Sequence, residues 1–243
     1  ELYLVNGRKV QITEAGFAVY NAIQSIDSTL NNLQIELNAF KGLQAGKLKL
    51  AVDSTAQYLI SKVLSPFCRR YPKIDVQLTI NNRDTLVNRL KNNEDDFYIL
   101  SRSPAGIEVE KTPFITNSLV VIAHKKHELN IQPHISLNRI QHYPFIMREH
   151  GSGTRQHVER FCKQHNIKLK KRMIIQSNEA IKQFVSEGIG LGILSRHTLN
   201  QTESPDLTIL DVEHFPITSQ WYFMRRAETK MTLLAATFNE FVK

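Results

Sequence analysis

Seven large apolar residues, Val19, Ile23, Ile26, Leu30, Leu33, Leu37 and Phe40, recur at alternating spacings of four and three. An apolar period of 3.5 residues held over three heptads fits one helix with one long apolar seam, the pattern of a coiled coil or a long packing helix. Such a seam wants a second helix, so the segment reads as a dimerisation device attached to something else. Lys41-Gly42 and Gly46 mark its end.

The rest of the chain has room for two compact units: 243 residues, 42% of them apolar, support a real core. No run approaches the roughly 18 apolar residues of a spanning helix, and Glu1 to Val10 is not an export signal. A cytoplasmic protein with no membrane partner is expected. Cys68 and Cys162 lie far apart and are expected as reduced, unpaired thiols. His124 and His127 flank two lysines with no carboxylate or thiol beside them, so they are expected to face solvent, and no metal is predicted. The net charge of +8 points to anionic partners; residues 1–46 carry three cations against four carboxylates, which leaves +9 for the remainder.

Leu2 to Ile12, broken by Asn6-Gly7, reads as a hairpin with Arg8 and Lys9 near its tip. Thr13-Glu14 supplies a cap for the long helix. From Lys47 the period changes to two: Lys47 to Val52 alternates, an amphipathic helix follows from Tyr58 to Phe67, and Ile74 to Ile80 alternates again. Leu86, Val87 and Leu90 make a short helix face, and Phe97 to Leu100 is a buried strand. The same grammar repeats from Leu119, with strands at Pro144 to Met147 and Met173 to Ile175, a tight turn into another strand over Gly188 to Leu194, a strand at Trp221 to Met224, and a final helix from Met231 to Phe241. Strands separated by helices predict right-handed crossovers and parallel sheets, hence an α/β fold of two Rossmann-like lobes with a site between them.

Three helix starts carry small polar residues. In Gly151-Ser152-Gly153-Thr154-Arg155, glycines permit a tight turn, hydroxyls and helix-start amides suit an anion, and Arg155 offers a two-pronged grip. Asp53-Ser54-Thr55 holds the equivalent place in the first lobe, and Asn178-Glu179 begins a third helix. Each is also an ordinary helix cap when taken alone. For catalysis, Glu149 and His150 adjoin the glycine-rich turn, but no nucleophile has a recognisable frame and neighbouring residues at a strand exit usually point apart. Asp95-Asp96 reads as a surface turn. Gly188 to Gly192 follows a helix, the wrong setting for a dinucleotide fingerprint, so no cofactor is predicted.

Together these pieces resemble the LysR-type transcriptional regulators. Ile12-Thr13-Glu14-Ala15-Gly16 ahead of the long helix is similar to that family's junction between DNA-binding domain and linker helix, and Gly46-x-Leu48, Tyr71-Pro72 and Ser186 to Gly190 fit its spacing. Ser54 to Tyr58, Asn82 to Val87, Met147 to Arg155, Ser177 to Lys182, Phe215-Pro216-Ile217 and Trp221-Tyr222 resemble segments of the CbbR group, which governs Calvin-cycle carbon fixation genes. Ser61-Lys62 and the bulky Tyr98 depart from the pattern.

The resemblance implies a remnant wing over residues 1–12, a linker and dimerisation helix over 13–45, and an effector-binding domain of periplasmic-binding-protein type over 46–243. One lobe would span about 46–123 and 217–243, the other about 124–216. It places a metabolite cleft at Ser54, Thr55, Ser101, Arg102, Thr154 and Asn178, beside Gly151, Ser152, Gly153 and Arg155. The effector would be a small anionic metabolite, and the whole regulator, with its recognition helix ahead of residue 1, would bind promoter DNA as a homodimer or homotetramer. Arg8 and Lys9 would touch backbone phosphate. A two-lobed solute-binding protein and an enzyme on two similar lobes are the competing readings.

Overall fold

The alternation of Lys47 to Val52 settles into a strand because its apolar members have two cores to fill. The computed structural model describes residues 1–6, 9–40, 46–199 and 205–243. In it, β3 (Gly46–Asp53) sends Leu48, Leu50 and Val52 into one cluster with Phe67, Phe97 and Phe238, and Ala51 into another with Leu86, Leu90 and Tyr98. Full burial of each such large side chain stabilises the fold by about 1.5–3 kcal/mol.

Before it, β1 (Tyr3–Asn6) and β2 (Lys9–Ile12) pair antiparallel, and α1 runs from Glu14 to Phe40. Thr13 caps α1, its Oγ1 accepting from the Gly16 N–H at 3.0 Å. The helix start lies so close to the hairpin that a Cβ on Gly16 would stand 2.0 Å from the Leu2 carbonyl oxygen, so only glycine fits there. Arg8 lies outside the described residues, and Lys9 lies in β2.

From β3 the chain passes through α2 (Gln57–Arg70), β4 (Ile74–Asn81), α3 (Arg83–Lys91) and β5 (Phe97–Leu100) to the long β6 (Val109–His124). The second lobe holds α4 (Leu137–Ile140), β7 (Pro144–Arg148), α5 (Gly153–Gln164), β8 (Lys170–Ile175), α6 (Asn178–Ser186), β9 (Leu191–Ser195) and β10 (Leu207–Ile209). The chain then returns through β11 (Ile217–Arg226) and ends in α7 (Leu233–Phe241). One sheet results, ordered β4-β3-β5-β11-β6-β9-β7-β8, with β10 also on β6.

The sheet is mixed, which corrects the expectation of parallel sheets. Pairings within each lobe's β-α-β units are parallel, but β6 and β11 run antiparallel to each other and to their neighbours. The cause is visible in the connections: no helix separates β5 from β6, so the chain turns back instead of crossing over. These two strands belong to both lobes. Tyr222–Met224 of β11 pairs with β5, while Leu119–Ile122 of β6 pairs with β9. Between those stretches the β6/β11 register shifts at Trp221/Tyr222, where a bulge leaves Phe114 without an opposite residue. These two adjacent strands, with a bulge between them, are the connection between the lobes.

One further expectation is corrected. Asp95-Asp96 is no surface turn: Asp95 is buried and takes a two-pronged pair from Arg89 at 2.8 and 2.9 Å, and Asp96 accepts the Lys49 N–H at 2.7 Å. The Tyr98 hydroxyl completes the knot, donating to the Arg89 carbonyl and accepting from the Asp95 N–H. His124 and His127 are half-buried, each ring accepting the amide two residues on. Cys68 and Cys162 are free thiols. Among the described residues no helix is long and apolar enough to cross a membrane, and no group of three or more His, Cys, Asp or Glu is placed to hold a metal ion.

Candidate functional site

Parallel strands deliver their carboxyl ends to one edge of each lobe, and the helices that follow begin there. In the first lobe that edge holds Asp53, Ser54 and Thr55 after β3, Arg83 at the start of α3, and Ser101 and Arg102 after β5. In the second it holds Arg148 and Glu149 at the end of β7, Gly151 to Thr154 leading into α5, and Asn178 at the start of α6. The two edges face each other across a cleft and are bonded across it.

At the centre lies Arg148, a residue absent from the sequence-based site, 3% exposed. Its Nε and Nη2 donate to the two carboxylate oxygens of Glu149 at 2.8 and 3.1 Å. Nη1 donates to Asn178 Oδ1 at 2.6 Å and Thr55 Oγ1 at 3.4 Å, and Nη2 also reaches Ser54 Oγ at 3.1 Å. Thr55 Oγ1 meets Thr154 Oγ1 at 3.3 Å. Ser54, Thr55 and Asn178, 124 positions apart at the extremes, thus converge on one guanidinium, and Thr154 joins them through Thr55. Glu149 turns toward Arg148, while its neighbour His150 meets Arg155.

Arg83 lies beside Asp53 and Gly153, and Arg102 is near enough for its charge to act on Arg83 and His157. Ser101 Oγ is 3.0 Å from His157 Nε2, bridging the lobes one turn along α5. Burial first, then the positive charges of Arg102 and Arg83, hold the His157 imidazolium below its ordinary range. Arg83 is itself pushed down by burial, and its Nε is buried without a hydrogen-bond partner. Its Nη1 pairs with Asp84 at 3.7 Å. Burial pushes the Asp53 carboxyl up, against the Thr55 amide and Arg148, which favour its charged form.

Further bonds close the lobes on one another. The Asp84 N–H donates to the Gly151 carbonyl at 3.2 Å, and Gln156 Nε2 donates to Asp84 Oδ1 at 3.2 Å. Gly151 has φ +79°, and the Asp84 carboxylate occupies the space a Cβ would need, so glycine is required at this turn. Tyr58 on α2 donates its hydroxyl to Glu179 on α6 at 2.5 Å; burial, then that carboxylate, push the phenol up to about 12. Glu179 also pairs with the buried Lys182, whose Nζ donates to the Thr198 carbonyl.

Arg155 is engaged within the second lobe. Its guanidinium, 2% exposed, donates to the Arg148 carbonyl at 2.9 Å and to Glu159 at 2.7 Å, and meets His150 Nε2 at 3.2 Å. It braces the backbone beneath Arg148, and its fork is already in use. Ser152 caps α5. On α1, Val19, Ile23, Ile26, Leu30 and Leu33 are exposed; the side chains of Leu37 and Phe40 lie outside the described residues. Sequence reading missed Arg148, Arg83 and His157. For Arg148 the signal was a lone arginine ending an otherwise apolar buried strand.

Two α/β lobes joined by two shared strands, with polar helix starts facing each other over a buried arginine, define a ligand-sensing domain of the periplasmic-binding type. The model of the LysR substrate binding domain matches residues 41–243. The chain is 40% identical over 242 residues to the HTH-type transcriptional activator CmpR of Synechocystis, covering 99% of this chain and 80% of that protein. It is 39% identical to the RuBisCO operon transcriptional regulator of Acidithiobacillus ferrooxidans, covering 97% and 77%. The regulatory domain of Synechocystis CcmR, solved in complex with 2-PG, superposes with a TM-score of 0.77 at 40% identity over 81% of this chain and 95% of that one. The chain belongs to the LysR family of transcriptional regulators.

Proposed function

We propose that the cleft around Arg148 senses a small dianion, a phosphorylated or dicarboxylic acid, and thereby controls promoter binding by an oligomeric regulator of carbon-fixation genes. The observation that carries this reading is the buried Arg148 guanidinium, held by residues of both lobes at once. The amino ends of α5 and α6 add partial positive charge at the same edge. Arg83 and Arg102 offer a second cationic anchor, with the uncharged His157 beside them, so a ligand with two acidic groups is favoured over one with a single charge. The 2-PG in the CcmR regulatory domain is chemically of this kind. Ser54, Thr55, Ser101, Thr154 and Asn178 supply neutral donors, and Gly151, Ser152 and Gly153 shape the turn.

A ligand binding both lobes shifts an oligomer only through its differential affinity for their arrangements. A hinge on β6 and β11 provides those arrangements, and α1 carries the change to a sister subunit in a homodimer or homotetramer. The hairpin of residues 1–12 is read as the wing, with Arg8 and Lys9 on DNA phosphates, which adds affinity more than sequence choice. Residues 13–45 and 46–243 are then linker and sensor, and the protein works in the cytoplasm. No catalytic role is assigned: Glu149 pairs with Arg148 and His150 meets Arg155, and no nucleophile accompanies them.

Calorimetric titration with 2-phosphoglycolate tests the site. Loss of one neutral hydrogen bond in Thr154→Ala should weaken binding about tenfold, and loss of the charged donor in Arg148→Gln about a hundredfold or more. Unchanged affinity in both variants would remove the ligand from this cleft.

A further inference from the structure

A guanidinium has five N–H donors, and those of Arg148 make five hydrogen bonds: two to Glu149 and one each to Ser54, Thr55 and Asn178. The group is therefore saturated by the protein itself. A ligand anion can reach it only by replacing a partner. Three partners are neutral oxygens that cost little to lose singly. Glu149 is the one partner with negative charge and the one that grips with both oxygens, the arrangement a ligand carboxylate or phosphate would itself adopt.

We propose that Glu149 is an internal competitor for the effector's anionic group, and that its displacement from Arg148 sets both the affinity and the charge selectivity of the cleft. This rests on the reading of the cleft as the effector site. Glu149 is only 8% exposed and follows Arg148 directly in the chain, so its effective concentration at the guanidinium is high and independent of metabolite level. A singly charged acid exchanges one carboxylate for another and gains nothing further. A dianion does the same exchange and places its second charge toward Arg83, Arg102 and His157, where a buried Arg83 Nε lacks an acceptor. Glu149 thus acts as a threshold: weak anions fail to displace it, and the ligand with two correctly spaced charges succeeds. Arg155 holds the Arg148 carbonyl, which keeps the competing pair in register.

The test is titration of the 243-residue chain and its variants with 2-phosphoglycolate and with acetate. Glu149→Gln keeps the shape and removes the charge, so 2-phosphoglycolate should bind about tenfold tighter or more, and acetate should begin to bind measurably. Glu149→Asp, a shorter carboxylate that cannot grip with both oxygens, should give a smaller gain and covers the case in which the glutamine variant fails to fold. Affinity that is unchanged or weaker in the folded Glu149 variants, with acetate still excluded, overturns the competitor role. If Arg148→Gln binds 2-phosphoglycolate as tightly as the unaltered chain, the cleft reading itself falls. If it loses binding while the Glu149 variants do not tighten, only the competitor role falls.

Discussion

Asp96 shows what burial does to a single carboxyl in this fold. Lodged where β3 meets β5 and bonded to the Lys49 amide, it is pushed up to about 6, chiefly by burial, with the Lys49 amide and charge opposing and Asp95 adding to the rise. A carboxyl raised above its unfolded value of 3.8 binds its proton more tightly in the folded chain. Its contribution to stability is therefore complete below about pH 4 and is lost as pH rises through about 6. Asp96→Asn keeps an acceptor for Lys49 without the charge. It should stabilise the chain at pH 7.5 by ~2 kcal/mol and flatten the fall in stability between pH 4 and 6, as read by urea unfolding. A variant less stable than the parent at pH 7.5 would mean that the charged form is the favoured one. The same scale explains why the site was only partly readable. Ser54, Thr55, Thr154 and Asn178 announce themselves as helix-start residues, a property of their own neighbourhoods. Arg148 and Arg155 sit seven residues apart in one motif, and nothing in the string tells which guanidinium enters the cleft and which braces the backbone.

Among the elements, α1 presents its apolar seam to solvent: Ile23, Ile26, Leu30 and Leu33 are all more than half exposed. Burying the exposed half of each against a sister helix would gain roughly 1 kcal/mol or more, several kcal/mol in sum toward holding a dimer. Leu30→Glu places a charge in the middle of that seam and should shift the chain toward monomer at micromolar concentration by light scattering, with ligand affinity unaltered. Undiminished dimer would assign association to another surface. Elements were the most legible level of this fold, because periods of 2 and 3.6 are local. Strands at Ile74, Phe97 and Pro144 and helices at Tyr58, Leu86 and Asn178 were all foreseen. Pairing direction was not, since whether β6 runs with or against its neighbours depends on a connection without a helix and on β11, a hundred residues later. The full length of β6 was hidden too, because its first half is only partly buried and carries mixed polar residues.

At the scale of the whole molecule, two lobes share one continuous sheet and are tied across the cleft by Tyr58–Glu179, Thr55–Thr154, Ser101–His157 and Asp84–Gly151. Individually these are bonds of modest net value. As a row they make closure a collective property, so that a ligand entering between Arg148 and the Arg83 group alters many contacts at once. On the proposed reading, that coupling lets a metabolite of a few atoms bias the arrangement of a regulator on DNA. The most direct measurement is a crystal structure of the chain grown with 2-phosphoglycolate. Density for the ligand on Arg148, Ser54, Thr154 and Asn178, with its second charged group toward Arg83 and Arg102, is the expected result. Ligand bound elsewhere, with the Arg148 bonds to Glu149, Ser54, Thr55 and Asn178 all intact, would contradict it.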